Sequence, residues 1–211
     1  MSFALRDYQQ AGIDEIRRHL RAGVRSVLWQ MPTGAGKTAS TAHMLKGAAA
    51  KGNRAWFVVH RRELIMQSHR AFGAIGLEHG IIAAGFDLAM RRPVQICSVG
   101  TLARRLDRVQ APHLIVWDEA HHMAAGTWQS IFRQFPQAAH IGLSATPLST
   151  QRWKPSCKVT RTVFSMTRGP AKPISAFGSA ITTSPMKAND ADTPPIVGSV
   201  STEMNGSFFS D

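Results

Sequence analysis

Two short stretches carry residue types that could do chemistry on a phosphate. In MPTGAGKT, residues 31–38, glycines at 34 and 36 precede Lys37 and Thr38. In LIVWDEAHH, residues 114–122, four apolar residues run straight into Asp118 and Glu119, with His121 and His122 just beyond. Adjacent carboxylates repel, and removing them from water is costly unless a cation or a hydrogen-bond network compensates. The first stretch suggests the cation. A turn through Thr33, Gly34, Ala35 and Gly36 lets backbone N–H groups curl around phosphate oxygens, and a following helix adds the positive end of its dipole. Lys37 then reaches the β- and γ-phosphates, and the Thr38 hydroxyl is placed to ligate Mg²⁺. On this reading Asp118 holds the Mg²⁺ of Mg-ATP, directly or through a water, and Glu119 polarises the attacking water as general base. The strict phosphate-loop pattern wants glycine where Met31 stands, so the match rests on its GKT half.

Plainer readings compete at each place. A glycine-rich turn can carry a merely solvated lysine, and a helix start can be decorated with acids. The strand–loop–helix setting disfavours the first, and the unbroken run of LIVW into Asp118 disfavours the second. A zinc cluster of Asp118, His121 and His122 at helical spacing lacks a further group of ligands.

These residues need a scaffold, and the apolar periodicity supplies one. AGIDEIRRHLRA (11–22) places Ile13, Ile16 and Leu20 on one helical face. SVLWQM (26–31) reads as a buried strand, followed by the glycine turn and a helix from about Thr38 to Ala50. RAWFVVH (54–60), GIIAAG (80–85), VQICSV (94–99), LIVWD (114–118) and HIGLSA (140–145) read as further strands. RELIMQSHRAF (62–72) and TLARRLDRV (101–109) read as helices between them. Short apolar strands alternating with helices indicate an α/β fold, a mainly parallel sheet covered on both faces. In such a fold the strand ending in the acidic pair is expected beside the strand that feeds the glycine turn. Trp29, Trp56 and Trp117 fall inside strands and read as core packing rather than base-stacking platforms.

Bulk composition narrows the function classes. The 211 residues carry a formal charge of +12, which favours polyanions, nucleic acid first among them. Two cysteines without metal-ligand spacing, Cys97 and Cys157, suit a reducing compartment. The first ten residues hold Arg6 and Asp7 where a signal peptide needs an apolar core, and no run has the length of a membrane span. A cytosolic protein without membrane contact is expected.

The motifs MPTGAGKT, VHRREL (59–64), SVGTLARR (98–105), DEAH (118–121) and GLSATP (142–147), in that order, resemble the superfamily 2 helicases and translocases. Within them the resemblance is to the DEAH/DExH branch that includes type III restriction subunits and related DNA helicases. It covers about residues 4–147, which corresponds to one RecA-like lobe. The resemblance implies that Gln9, helped by Arg6 in ALRDYQQAGIDEI, reads the adenine edge, for which an amide offers a donor and an acceptor together. It implies that His121 links the γ-phosphate site to Ser144 and Thr146 of GLSATP. His60, Arg61 and Thr101, with Arg104 or Arg105 nearby, would contact the phosphates of a nucleic-acid strand. DNA is expected over RNA, because no residue visibly reads a 2′-hydroxyl.

The expected organisation is a RecA-like ATP-binding lobe over 1–148 and an irregular tail over 149–211. The latter part, from 151 on, holds six of the eleven prolines and none of the nine histidines, with VTRTVFSM (159–166) its best strand. Helicases of this kind place ATP between two lobes, and the second brings an arginine finger whose loss costs about 10³ to 10⁵ in rate in related phosphoryl transfer. No such motif follows Pro147, so the chain alone is expected to bind Mg-ATP weakly and turn it over slowly. A frameshift, a second lobe in another chain, or a cloning boundary would each account for the tail. The expected function is the N-terminal lobe of an ATP-dependent DNA helicase or translocase; the alternative is a non-catalytic ATP- or nucleic-acid-binding module serving a two-lobed partner.

Overall fold

The computed structural model describes residues 4–87, 91–124, 126–145 and 158–161. Among them, seven strands form one sheet in which every pairing is parallel. In chain order they are β1 (Ser26–Gln30), β2 (Ala55–Val59), β3 (His79–Ile82), β4 (Val94–Ser98), β5 (Leu114–Trp117), β6 (Ala139–Ser144) and β7 (Lys158–Arg161). Their spatial order is β3-β4-β2-β5-β6-β1-β7. The helices are α1 (Asp7–Arg21), α2 (Lys37–Ala50), α3 (Arg62–Ala74), α4 (Val99–Ala103) and α5 (Gly126–Gln134), with 3-10 turns at Leu106–Arg108 and Ala120–Ala124.

The strands are apolar on both sides because both sides are covered. Alternate residues point to opposite faces. Val27, Trp29, Phe57, Val59, Val116 and Ile141 join Ile13, Ile16, Leu45 and Phe72 in one buried cluster, against α1, α2 and α3. Leu28, Trp56, Val58, Ile115 and Trp117 form the other with Leu102, Trp128, Ile131 and Phe132, against α4 and α5. Trp29, Trp56 and Trp117 are at most 2% exposed, so all three strand tryptophans are core.

Several boundaries differ from the sequence reading. The first helix starts at Asp7, one turn earlier than its apolar face suggests, so Gln9 lies in its first turn. The 101–109 stretch is a short helix and a 3-10 turn rather than one helix. α5 was not expected, although Trp128, Ile131 and Phe132 sit on one helical face and are all buried. The sheet also continues past residue 148: β7, at the start of VTRTVFSM, pairs with β1 from Val27↔Lys158 to Gln30↔Arg161.

One expectation is corrected outright. The acidic strand β5 is not beside β1; β6 lies between them. The two ends nevertheless share an edge, because parallel strands all finish on the same side. Two strand spacings amount to about 10 Å, a gap that a lysine side chain and a phosphate chain bridge.

Gly12 shows how closely α1 sits on the sheet. A Cβ there would lie 2.3 Å from Cζ2 and 2.8 Å from Cε2 of Trp29. The indole is buried and has nowhere to go. Gly12→Ala is therefore expected to destabilise the fold by about 1–3 kcal/mol through overpacking, despite alanine's better helix propensity. A urea midpoint equal to or above that of the wild type would contradict this packing.

Candidate nucleotide site

β1 ends at Gln30, and the Met31 N–H donates to the Ser144 carbonyl at 2.9 Å, extending the β1–β6 pairing into the loop. The chain then turns through Gly34 and Gly36, both at φ of +80°. Gly36 is needed twice over: its backbone is left-handed, and a Cβ would meet Gln9 Nε2 at 2.3 Å. It is also the N-cap of α2, which has no capping side chain and no acid in its first turn. The positive end of a 14-residue helix is thus presented at the sheet edge without a built-in anion. Thr33 and Gly34 are exposed at the lip, Ala35 is buried, and Lys37 and Thr38 are half-buried. Lys37 Nζ folds back over the turn, donating to the Met31 and Pro32 carbonyls at 3.4 and 3.5 Å. Such long bonds to neutral acceptors are readily exchanged for phosphate oxygens.

Gln9 holds this loop from the α1 side. Its Nε2 donates to the Ala35 carbonyl at 3.0 Å and lies 3.5 Å from the Gly36 carbonyl; its Oε1 accepts from the Arg6 N–H at 2.9 Å. Tyr8 donates from its hydroxyl to the same Ala35 carbonyl at 3.2 Å, and the Arg6 guanidinium donates to that hydroxyl, also at 3.2 Å. Gln9 is 6% exposed, so its amide is a brace between helix and loop rather than an open edge. Tyr8, which carried no signal beyond adjacency to Gln9, belongs to the same brace.

The acidic pair lies two strands away. The Asp118 N–H donates to the Val58 carbonyl at 2.9 Å, so the residue continues the β2–β5 ladder. Burial, and then the neighbouring Glu119 charge, push its carboxyl up to about 6, while Lys37 pulls it back down. That pull ties the acid electrically to the glycine turn. Glu119 has φ of +51°, a left-handed conformation that a non-glycine residue holds only under constraint from its neighbours. His121 Nδ1 stands 3.2 Å from Glu119 Oε2. Ser144, at the end of the intervening β6, is buried. Thr146 lies outside the described residues.

The donor set fits magnesium. Asp118 and Thr38 offer hard oxygens, and Mg²⁺ typically takes one or two protein oxygens and completes its shell with water and phosphate. The raised acid is the group that a divalent cation would relieve. No cluster of three or more histidine, cysteine, aspartate or glutamate side chains suited to a metal occurs among the described residues.

On the neighbouring β2 edge, His60 is half-buried and Arg61 exposed. Arg61 Nε donates to His60 Nε2 at 3.0 Å. Thr101 is buried in α4, whereas Arg104 is exposed, so the open donors of that motif are arginines. His122 is exposed, and its ring packs between those of His60 and His121. Residue spacing could not reveal this, since the contact crosses from one strand end to the next. No helix among the described residues is long and apolar enough to cross a membrane.

Comparison with known proteins agrees with this geometry. The family "Type III restriction enzyme, res subunit" matches residues 2–149. The "51.5 kDa protein" of a Lactococcus phage is 35% identical over 56% of this chain and 24% of its own length. The "Putative ATP-dependent helicase IRC3" of Saccharomyces cerevisiae is 32% identical over 67% of this chain and 23% of its own length. The chain thus spans about a quarter of these relatives. The Hef helicase domain of Pyrococcus furiosus has the same fold, with a TM-score of 0.58 at 22% identity over 70% of this chain and 34% of that one. With the glycine turn, the acidic strand end and the all-parallel sheet in place, the chain belongs to the Type III restriction enzyme res subunit family, and its sheet has the fold of a helicase RecA-like lobe.

Proposed function

We propose that this chain is the N-terminal ATP-binding lobe of an ATP-dependent DNA helicase or translocase, the lobe's sheet running past residue 148 to include β7. One observation carries the reading: the parallel sheet brings the glycine turn that follows β1 and the half-buried Asp118 that follows β5 to the same edge, with β6 between them. A lysine-bearing glycine turn and an acidic doublet are thereby held to one small volume at the sheet edge.

The residues then divide the work. Backbone N–H groups of Thr33 through Gly36 and the first turn of α2 cradle the phosphates, and Lys37 leaves its two carbonyl partners for the β- and γ-oxygens. Bound Mg²⁺ supplies neutralisation of the triphosphate, with Thr38 and Asp118 as its protein oxygens. Glu119, aimed by His121, accepts a proton from the attacking water. Ser144 and Thr146 report the state of the γ-phosphate to the rest of the lobe. Gln9 and Arg6 face the base end; adenine recognition there would have to share or displace the amide's bonds to the loop and to Arg6. His60, Arg61 and the arginines beside Thr101 meet a strand's phosphates, and each phosphate neutralised contributes about −0.7 to the salt slope on single strands. DNA is favoured by the family's restriction-enzyme description. The cleft is completed by a second lobe, and without its arginine turnover is slow.

Titration of the chain with a fluorescent ATP analogue and Mg²⁺ tests the assignment. Lys37→Ala should weaken binding by about tenfold or more, at least about 1.4 kcal/mol. Unchanged binding in this variant overturns the assignment. Steady-state ATPase with and without single-stranded DNA then separates enzyme from module: stimulation marks an enzyme, and tight binding without turnover marks a non-catalytic module.

The raised Asp118 gives a second, independent expectation. Its folded-state value of about 6 exceeds the ordinary 3.8, so between these values the folded protein binds more protons than the unfolded. Stability is lost as pH rises through that window, and the loss, up to about 3 kcal/mol, persists above it. In metal-free protein Asp118→Asn should therefore raise the melting temperature near pH 7 and leave it unchanged near pH 4. Mg-ATP should stabilise the wild type more than the variant. A melting temperature lowered at about pH 7 would show that the acid is not strained.

A further inference from the structure

One ring between the nucleotide site and the nucleic-acid contacts, that of His122, has no task in this reading. The rings of His60 and His122 have centroids 4.6 Å apart, and those of His122 and His121 lie 4.2 Å apart. His121 in turn contacts Glu119 at 3.2 Å, and Arg61 donates to His60 at 3.0 Å. An unbroken run of side chains therefore leads from an exposed arginine at the end of β2 to the carboxylate at the end of β5. The parallel register that pairs Val58 with Trp117 brings the two strand ends together. Buried Trp128 lies 6.0 Å from the His122 ring and gives the middle of the run a fixed neighbour. Partial burial and nearby cationic groups hold both His60 and His122 below the usual histidine range, so the rings pack as neutral groups at neutral pH.

We propose that the run Arg61–His60–His122–His121 couples a nucleic-acid phosphate on Arg61 to the setting of Glu119, with His122 as the positioning residue at its centre. This rests on the reading of Arg61 and Glu119 given above. A phosphate held by the terminal N–H groups of Arg61 fixes the guanidinium, whose Nε–H fixes the His60 ring. Ring contact carries the restraint through His122 to His121. His121 holds Glu119, whose left-handed backbone persists only where its surroundings over-determine it. By linkage the effect runs both ways, so bound Mg-ATP must tighten the nucleic acid by the factor with which nucleic acid tightens Mg-ATP.

Equilibrium titrations of the intact chain test this, using a fluorescent ATP analogue with Mg²⁺ in the presence and absence of a short oligothymidylate. For the wild type each ligand is expected to tighten the other by about fivefold or more. His122 is exposed, so His122→Ala should fold. It should bring the coupling factor to about one while leaving each separate Kd within about twofold. His122→Phe, which keeps an aromatic ring between its neighbours, should retain the coupling. Coupling that survives in His122→Ala overturns the proposal, as does its loss in both variants alike. Binding of both ligands to the wild type without coupling overturns this inference and leaves the nucleotide site standing; failure of the ATP analogue to bind overturns both.

Discussion

The repulsion between two neighbouring carboxylates at the end of a buried strand is the constraint around which the site is arranged. Asp118 continues the backbone ladder at the end of β5 and is half-buried there, and Glu119 follows it immediately. Burial, and then the Glu119 charge, raise the carboxyl of Asp118, while Lys37, the Glu119 N–H and His121 pull it back. A folded protein that keeps such an arrangement gives up stability at neutral pH. A divalent cation bound between the two carboxylates would recover that loss. Sites of this kind are where stability and function oppose each other.

The sheet makes the arrangement possible without making it local. In an all-parallel sheet every strand ends on the same edge, so loops far apart in sequence converge there and ligands bind beyond the strand ends. Here β1 delivers the lysine, β5 the acids, β2 the His60–Arg61 pair, and β6 places Ser144 between the first two. The intervening β6 would suit the proposed ligand, because a triphosphate and its metal are longer than one strand spacing. Were β1 and β5 adjacent, Lys37 and Asp118 would neutralise each other directly and leave less need for a cation. Two tryptophan-rich faces hold the edge rigid: Trp29 under α1 on one side, and Trp56 and Trp117 against α4 and α5 on the other.

Much of this was legible because its signals are short-range. Six of the seven strands are apolar runs of four to six residues, readable one at a time, and the glycine turn announces itself through Gly34, Gly36 and Lys37. What escaped the sequence depends on pairing across the sheet. Strand order is set by which strands hydrogen-bond, and nothing in LIVWDE says that HIGLS comes between it and SVLWQ. The α5 helix was missed although its Trp128, Ile131 and Phe132 spacing is helical, because it is one short helix between a glycine and the proline at 136. The histidine run was invisible for a different reason: His60 and His122 are neighbours only through the β2–β5 register.

Gln9 has a structural task besides the base recognition expected of it. Its type and position at the head of α1 fit recognition of a base edge, yet its donor and its acceptor both have partners inside the protein. The Ala35 carbonyl that it binds is shared with Tyr8, so two side chains of α1 fix one peptide of the phosphate loop. Gly36, next in the chain, has room for this bracing only because it lacks a Cβ. Loop shape and the α1 end are therefore one mechanical unit. A nucleotide that engaged the Gln9 amide would loosen or retighten the peptide that precedes Lys37, so recognition of the base and grip on the phosphates are not separable properties of this lobe.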